Sequence, residues 1–141
     1  MSDINLAEVE RLFSRAPFIR ELGLELVAAT PGECRSRLVL AERHLQQDGF
    51  VHAGVQGAMA DHTAGAAAAS LVQPGQRILG AEYKINLLRA ARGEALYCTA
   101  RVIKAGRTLT VVDAEIRCRN GEEEKLVAKA TVTLAVVGEA V

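Results

Sequence analysis

Apolar residues recur at Leu6, Val9, Leu12 and Phe13, the three- and four-residue spacing of one helix face. This spacing predicts an amphipathic helix over residues 4 to 15, stopped ahead of Pro17, and a further helical turn over Phe18 to Leu22. The period then falls to two. Gly23 to Ala29 and Glu33 to Leu40 read as strands joined by the turn TPGE. In the second, Cys34, Ser36, Leu38 and Leu40 alternate with Arg35, Arg37 and Val39, so one face is buried and the other solvated. The polar stretch ERHLQQDGFVH, residues 42 to 52, reads as a loop. From about Gly54 to Val72 the chain is nearly all Ala and Gly, which predicts a helix closed by the breaker QPGQ.

Four strands are expected to follow: Ile78 to Leu88, Ala95 to Lys104, Thr108 to Arg119 and Leu126 to Val137. The third sets Thr110, Val112, Ala114, Ile116 and Cys118 against a more polar face, and the fourth sets Leu126, Ala128, Ala130, Val132 and Leu134 inward. ARGE, AGR and NGEE supply the turns, with Asn120-Gly121 the strongest hairpin signal. Helix, two strands, one small-residue helix and four antiparallel strands make an α+β layer fold, expected as a single domain over residues 1 to 141. Small side chains on the long helix let a curved sheet approach its backbone closely.

Composition narrows the function. Half of the residues are apolar, and 17 basic side chains balance 17 acidic ones, so there is no net positive field for nucleic acid or an anionic membrane. The absence of Trp, with only three Phe and two Tyr, argues against a base-stacking platform. No apolar run reaches the roughly 18 to 20 residues that a membrane span needs. The start MSDINLAEVERLF lacks a basic region followed by an apolar centre, so no signal peptide is expected. Cys34, Cys98 and Cys118 are odd in number and far apart, as suits buried reduced thiols in a cytoplasmic protein.

The chemistry-bearing stretch is VHAGVQGAMADHTAGAAAAS, residues 51 to 70, where His52, Asp61 and His62 stand among Ala and Gly. Here the sequence resembles the hotdog-fold acyl-CoA thioesterases of the phenylacetate-degradation (PaaI-like) branch. That family carries His-Gly-Gly at the start of its central helix and an Asp seven residues past the second Gly. This chain has His52-Ala53-Gly54 and then Asp61. The segment INLLRAARGEALYCTARVIKAGRTLTVVDAEI also resembles the family's run of strand, small basic turn, strand, Gly-Arg turn and strand. The likeness covers about residues 20 to 137. Three positions depart from it: the middle Gly is Ala53, the loop position six before the His is Gln46 where relatives often have Asn, and ILGAEYK offers no counterpart to a Ser or Thr found near the third strand.

The resemblance implies a curved antiparallel sheet wrapped around a long central helix, hydrolysis of an acyl-CoA thioester, and no cofactor. Such hydrolysis needs donors for the carbonyl oxygen and a water or nucleophile at the carbonyl carbon. A helix N-terminus offers unpaired N–H groups with partial positive charge, so the N–H of Ala53 or Gly54 is the expected oxyanion donor. Asp61 is the expected general base, or a nucleophile forming an anhydride. Gly54 to Asp61 spans about 10 Å of helix at roughly 1.5 Å per residue. One helix is therefore not expected to supply both groups to one carbonyl. Two antiparallel helices side by side would do so, which predicts a homodimer with two composite sites; a tetramer built as a dimer of dimers is implied by the resemblance alone.

Gln46 and His52 are the expected substrate-binding residues, although His52 also reads as a structural histidine bonded to backbone near the helix start. His62 points about 100° away from Asp61 around the helix. His44, His52 and His62 lack the close spacing of metal ligands, so no metal is expected. Arg89, Arg92, Lys104 and Arg107 sit at strand ends and turns, where contact with coenzyme A phosphates is possible, but none is assigned to the site. Two other functions fit the same fold: a hydratase or dehydratase, which would need Asp61 paired with a nearby His, and a non-catalytic acyl-CoA-binding protein.

Overall fold

A computed structural model describes residues 4 to 139. Helix α1 (Leu6–Arg15) is capped by Asn5, whose side-chain oxygen accepts from the Glu8 N–H at 3.2 Å. Asn5 also docks the helix end: its N–H donates to Ser70 O and its side-chain amide to Val72 O. Helix α2 (Pro17–Leu22) opens on proline and ends at Gly23, whose φ of 87° is left-handed. The strand expected from Gly23 therefore starts later, as β1 (Glu25–Thr30), and β2 (Glu33–Val39) follows across a turn in which Gly32 is also left-handed.

A single 3₁₀ turn (Glu42–His44) interrupts the polar loop before helix α3 (Ala53–Ala69). The helix ends three residues short of the expected Val72, because the Leu71 and Val72 N–H groups fold back on Ala68 O and Ala69 O, three residues behind them. Strands β3 (Arg77–Leu87), β4 (Ala95–Ala105), β5 (Leu109–Asn120) and β6 (Glu123–Val137) complete the chain.

All six strands join one sheet in the order β1-β2-β4-β5-β6-β3, every neighbouring pair antiparallel. The inner face follows the alternation in the sequence, with Cys34, Ser36 and Leu38 of β2 and Thr110, Val112, Ala114 and Ile116 of β5 buried. One expectation fails locally. A bulge in β6 opposite Ile116 and Arg117 turns Val127 inward beside Ala128, leaving Leu126 only partly buried.

Across the sheet, Cys34, Ala100, Ala114 and Ala130 form one row of register partners, all small and all buried. α3 presents Ala60, Ala64, Ala67 and Ala68 to the same interior. Small residues on both surfaces let helix and sheet approach more closely than Leu or Phe would allow, and Ala has the highest helix propensity of any residue. At Gly65 a Cβ would already lie 3.5 Å from Leu134. Thr63 ties the layers together: it donates to Met59 O at 2.7 Å and its oxygen lies 2.6 Å from that of Ser36. A six-stranded antiparallel sheet wrapped on one long central helix is the hotdog fold. Among the described residues no helix is long and apolar enough to cross a membrane.

Candidate active site

The mouth of α3 is built by two histidines. His44 is buried; its Nδ1 accepts from the Ala41 N–H at 2.9 Å, and its Nε2–H donates to Leu22 O at 2.7 Å. Both ring nitrogens are thus committed to backbone. The His44 carbonyl in turn accepts from the His52 N–H at 2.9 Å, fixing where the next helix begins. His52 is the N-cap, with φ −60° and ψ 138°, and its Nδ1 accepts from the Gly54 N–H at 2.8 Å.

That cap separates the two donors expected at the helix start. The Gly54 N–H already has its acceptor inside the chain. The N–H groups of Val55 and Gln56 turn toward His52 O, at 3.0 and 3.4 Å. Among the described residues nothing accepts from the Ala53 N–H, the first of the helix, and Ala53 is exposed. Of the two, Ala53 is the donor left for a ligand.

A cleft of about 420 Å³ opens at this mouth, lined by Gln46, Phe50, His52, Ala53, Gln56 and Leu87 among others. Gln46 shapes its rim. Its side-chain oxygen accepts from the N–H groups of Asp48 (2.6 Å) and Phe50 (3.2 Å), closing a tight loop. Only its amide nitrogen remains to meet a substrate. Thus Gln46, His52 and Ala53 share one cleft, while Asp61 lies elsewhere.

Asp61 is eight residues along the helix from Ala53, about 12 Å by helical rise. It shares a helix face with Gly57, and β3, running antiparallel to α3, covers both positions. Gly80 lies against Asp61, with an added Cβ 3.4 Å from the carboxylate oxygen, and Tyr83 lies over Gly57, where a Cβ would stand 2.9 Å from the phenol oxygen. Among the described residues no donor pairs with the carboxylate.

Partial burial without a partner pushes the Asp61 pKa above its ordinary value. Two results follow. With Asp61 as the base, which must be ionised to act, the acid limb of the kcat/KM profile should lie above the ordinary aspartate value of about 3.9, and it should vanish in a variant lacking the carboxyl group. Stability runs the other way. The folded chain holds this proton more tightly than the unfolded chain, so Asp61's contribution is fully present below the unfolded pKa and is lost as pH rises through the folded one. Thermal melts should show Asp61→Asn more stable than wild type at neutral pH, with the gap closing in acid.

His62 is turned away from Asp61. Its Nε2 is 2.9 Å from Leu12 O, and its ring meets Phe13 edge-on, 5.0 Å between centroids. Burial, the larger influence, lowers its pKa against the opposing bond to Leu12. It fastens α1 to α3. Of the four basic candidates, Arg89 lines the rim of the helix-mouth cleft and, with Arg92 and Lys125, a smaller cleft of about 120 Å³ beside it. Lys104 and Arg107 lie at the opposite end of α3, by the β4–β5 hairpin, Arg107 lining a cleft of about 250 Å³ with Leu71 and Gln76.

Lys125, Tyr83 and Gln56 were not anticipated. Lys125 reaches Arg89 and Arg92 only through the β5–β6 register, and Tyr83 covers Gly57 only because of a bulge in β3 between Gly80 and Glu82. Gln56 did carry a signal, as a polar residue in a helix of Ala and Gly.

Fold and site together define a hotdog protein with a donor-bearing helix mouth and an unpaired acid on the same helix. Residues 48 to 125 match the family model described as the thioesterase superfamily. The chain is 30 % identical over 115 residues to a 1,4-dihydroxy-2-naphthoyl-CoA hydrolase of Listeria monocytogenes, covering 82 % of this chain and 91 % of that one. A solved thioesterase family protein from Silicibacter pomeroyi superposes with a TM-score of 0.92 at 34 % identity, covering 95 % of this chain and 98 % of the other. A phenylacetic acid degradation-related protein from Ralstonia eutropha gives 0.78 at 28 % identity, covering 91 % and 98 %. The chain belongs to the thioesterase superfamily, and its activity is thioester hydrolysis.

Proposed function

We propose that the chain hydrolyses an acyl-CoA thioester to the free acid and coenzyme A, at two composite sites in a homodimer. The observation that carries this is the separation within α3. An unpaired N–H at Ala53 opens on a cleft, and an unpaired carboxylate at Asp61 stands about 12 Å along the same helix, beyond reach of one carbonyl. A two-fold axis beside β3 would set Asp61 of each subunit against the helix mouth of the other.

The edge of β3 supports such pairing. It is an end strand of the sheet with one hydrogen-bonding edge free, and Leu79 (61 %), Tyr83 (48 %), Leu87 (49 %) and Leu88 (53 %) are exposed on or next to it. A long apolar edge left open is a template for another strand. A second copy covers it and closes both sites; pairing of such dimers into a tetramer is implied by the resemblance alone.

In the mechanism, the thioester oxygen accepts from the Ala53 N–H of one subunit, with Gly54 and the His52 cap holding that backbone in place. Asp61 of the partner subunit takes a proton from water as the water oxygen bonds the carbonyl carbon; the C–S bond then breaks and the leaving thiolate takes that proton from Asp61, giving the free thiol and restoring the carboxylate. Attack by the carboxylate itself, followed by hydrolysis of the anhydride, uses the same atoms. Gln46 offers its amide nitrogen to the substrate, and Arg89, Arg92 and Lys125 form a basic rim suited to coenzyme A phosphates.

The chain acts as one domain over residues 1 to 141, and free, buried Cys34, Cys98 and Cys118 suit the reducing cytoplasm. A hydratase is disfavoured because the His62 ring is held by Leu12 rather than facing Asp61.

Assaying purified protein with acyl-CoA and enoyl-CoA substrates, reading free thiol and hydration separately, tests this. Thiol release from acyl-CoA is the expected result. Hydration without thiol release would establish the hydratase instead, and no turnover with either would leave a binding protein.

A further inference from the structure

Gln56 stands in the first turn of α3, is 3 % exposed, and lines the helix-mouth cleft three residues from Ala53. Its amide nitrogen donates to Val51 O at a long 3.4 Å. That contact fixes the orientation of the amide, since the reverse would set two oxygens together. Its Oε1 is left without a partner, alone among buried side-chain oxygens and nitrogens of the described residues. A buried acceptor without a donor is costly, and leucine or methionine would fill the same space without that cost.

Residues three apart on a helix are neighbours, and helical side chains lean toward the N-terminus, which brings Gln56 toward the Ala53 N–H. The two groups are opposite in kind: Ala53 donates and Gln56 Oε1 accepts. A thioester carbonyl can satisfy only the first. We infer that Gln56 is a specificity-determining residue that selects thioesters bearing an N–H or O–H donor about one helical turn, roughly 5 Å, from the carbonyl oxygen. Two parts of an acyl-CoA can carry such a donor: a hydroxyl on the acyl group, and the first amide of the pantetheine arm. The inference rests on the thioesterase reading.

The test is kcat/KM on two substrate pairs with wild type, Gln56→Met and Gln56→Glu. The first pair is 3-hydroxybenzoyl-CoA against benzoyl-CoA. The second is the benzoyl thioester of N-acetylcysteamine against that of pentanethiol, which lacks the amide. Wild type should favour the donor-bearing member of one pair by about tenfold, as loss of one buried hydrogen bond would give. Gln56→Met should abolish that preference by slowing the donor-bearing member only, whereas Gln56→Glu, which still accepts, should keep it.

The pair that responds identifies the source of the donor. Wild type treating both members of both pairs alike, or ratios unchanged in Gln56→Met, would overturn the inference and leave water or the partner subunit as the group facing Oε1. Absence of hydrolysis from every substrate is a different failure: it removes the thioesterase reading and this inference with it.

Discussion

Asp61→Asn is expected to lower thioester hydrolysis by at least about a hundredfold while leaving the proposed dimer intact. The substitution keeps shape and removes only the ability to take a proton or to attack as a carboxylate, so both versions of the mechanism fail together. Its surroundings have little reason to change. The contact with Gly80 is van der Waals, and no hydrogen bond within the described residues holds the carboxylate. Steady-state turnover together with light scattering checks both halves, and near wild-type turnover would remove Asp61 from the mechanism.

Ala53→Pro should cost about a hundred- to a thousandfold in kcat, the usual effect of losing one oxyanion donor. Proline deletes the N–H and nothing else that this position needs. Ala53 is the first residue of α3, where proline is well tolerated, and His52 at ψ 138° already has the extended conformation that precedes proline. The cap from Gly54 to His52 is untouched. Unchanged circular dichroism and Tm with collapsed kcat is the expected result. Full activity would show that the carbonyl oxygen is held by other donors.

The sequence made most of the fold legible because its signals were local. Cys34 to Leu38 and Thr110 to Cys118 alternate strictly, and the Ala-Gly run admits little except a helix under a sheet. The errors arose where backbone geometry overrode the pattern: the left-handed Gly23, which delays β1, and the bulge that turns Val127 inward. At the site, the family resemblance picked out His52-Ala53-Gly54 and Asp61, and the distance between them could be read from helical rise. That His52 bonds backbone near the helix start could be read too, but that its partner is the Gly54 N–H could not, because either ring nitrogen of a histidine can face either way until its neighbours are placed. Nor could the company of Tyr83 and Gly80, since one bulge in β3 decides which residues face the helix.

In the proposed dimer each site takes its acid and its backbone donor from different subunits. Inactive Asp61→Asn and Ala53→Pro chains mixed in equal amounts, with subunit exchange proven by tagged heterodimers, test it most directly. Each heterodimer then holds one intact site and one doubly disabled site. Recovery to about a quarter of wild-type activity per chain is expected, because half the dimers are mixed and each carries one working site of two. Activity that stays at the sum of the two parent variants after full exchange would contradict it and place both groups within one chain.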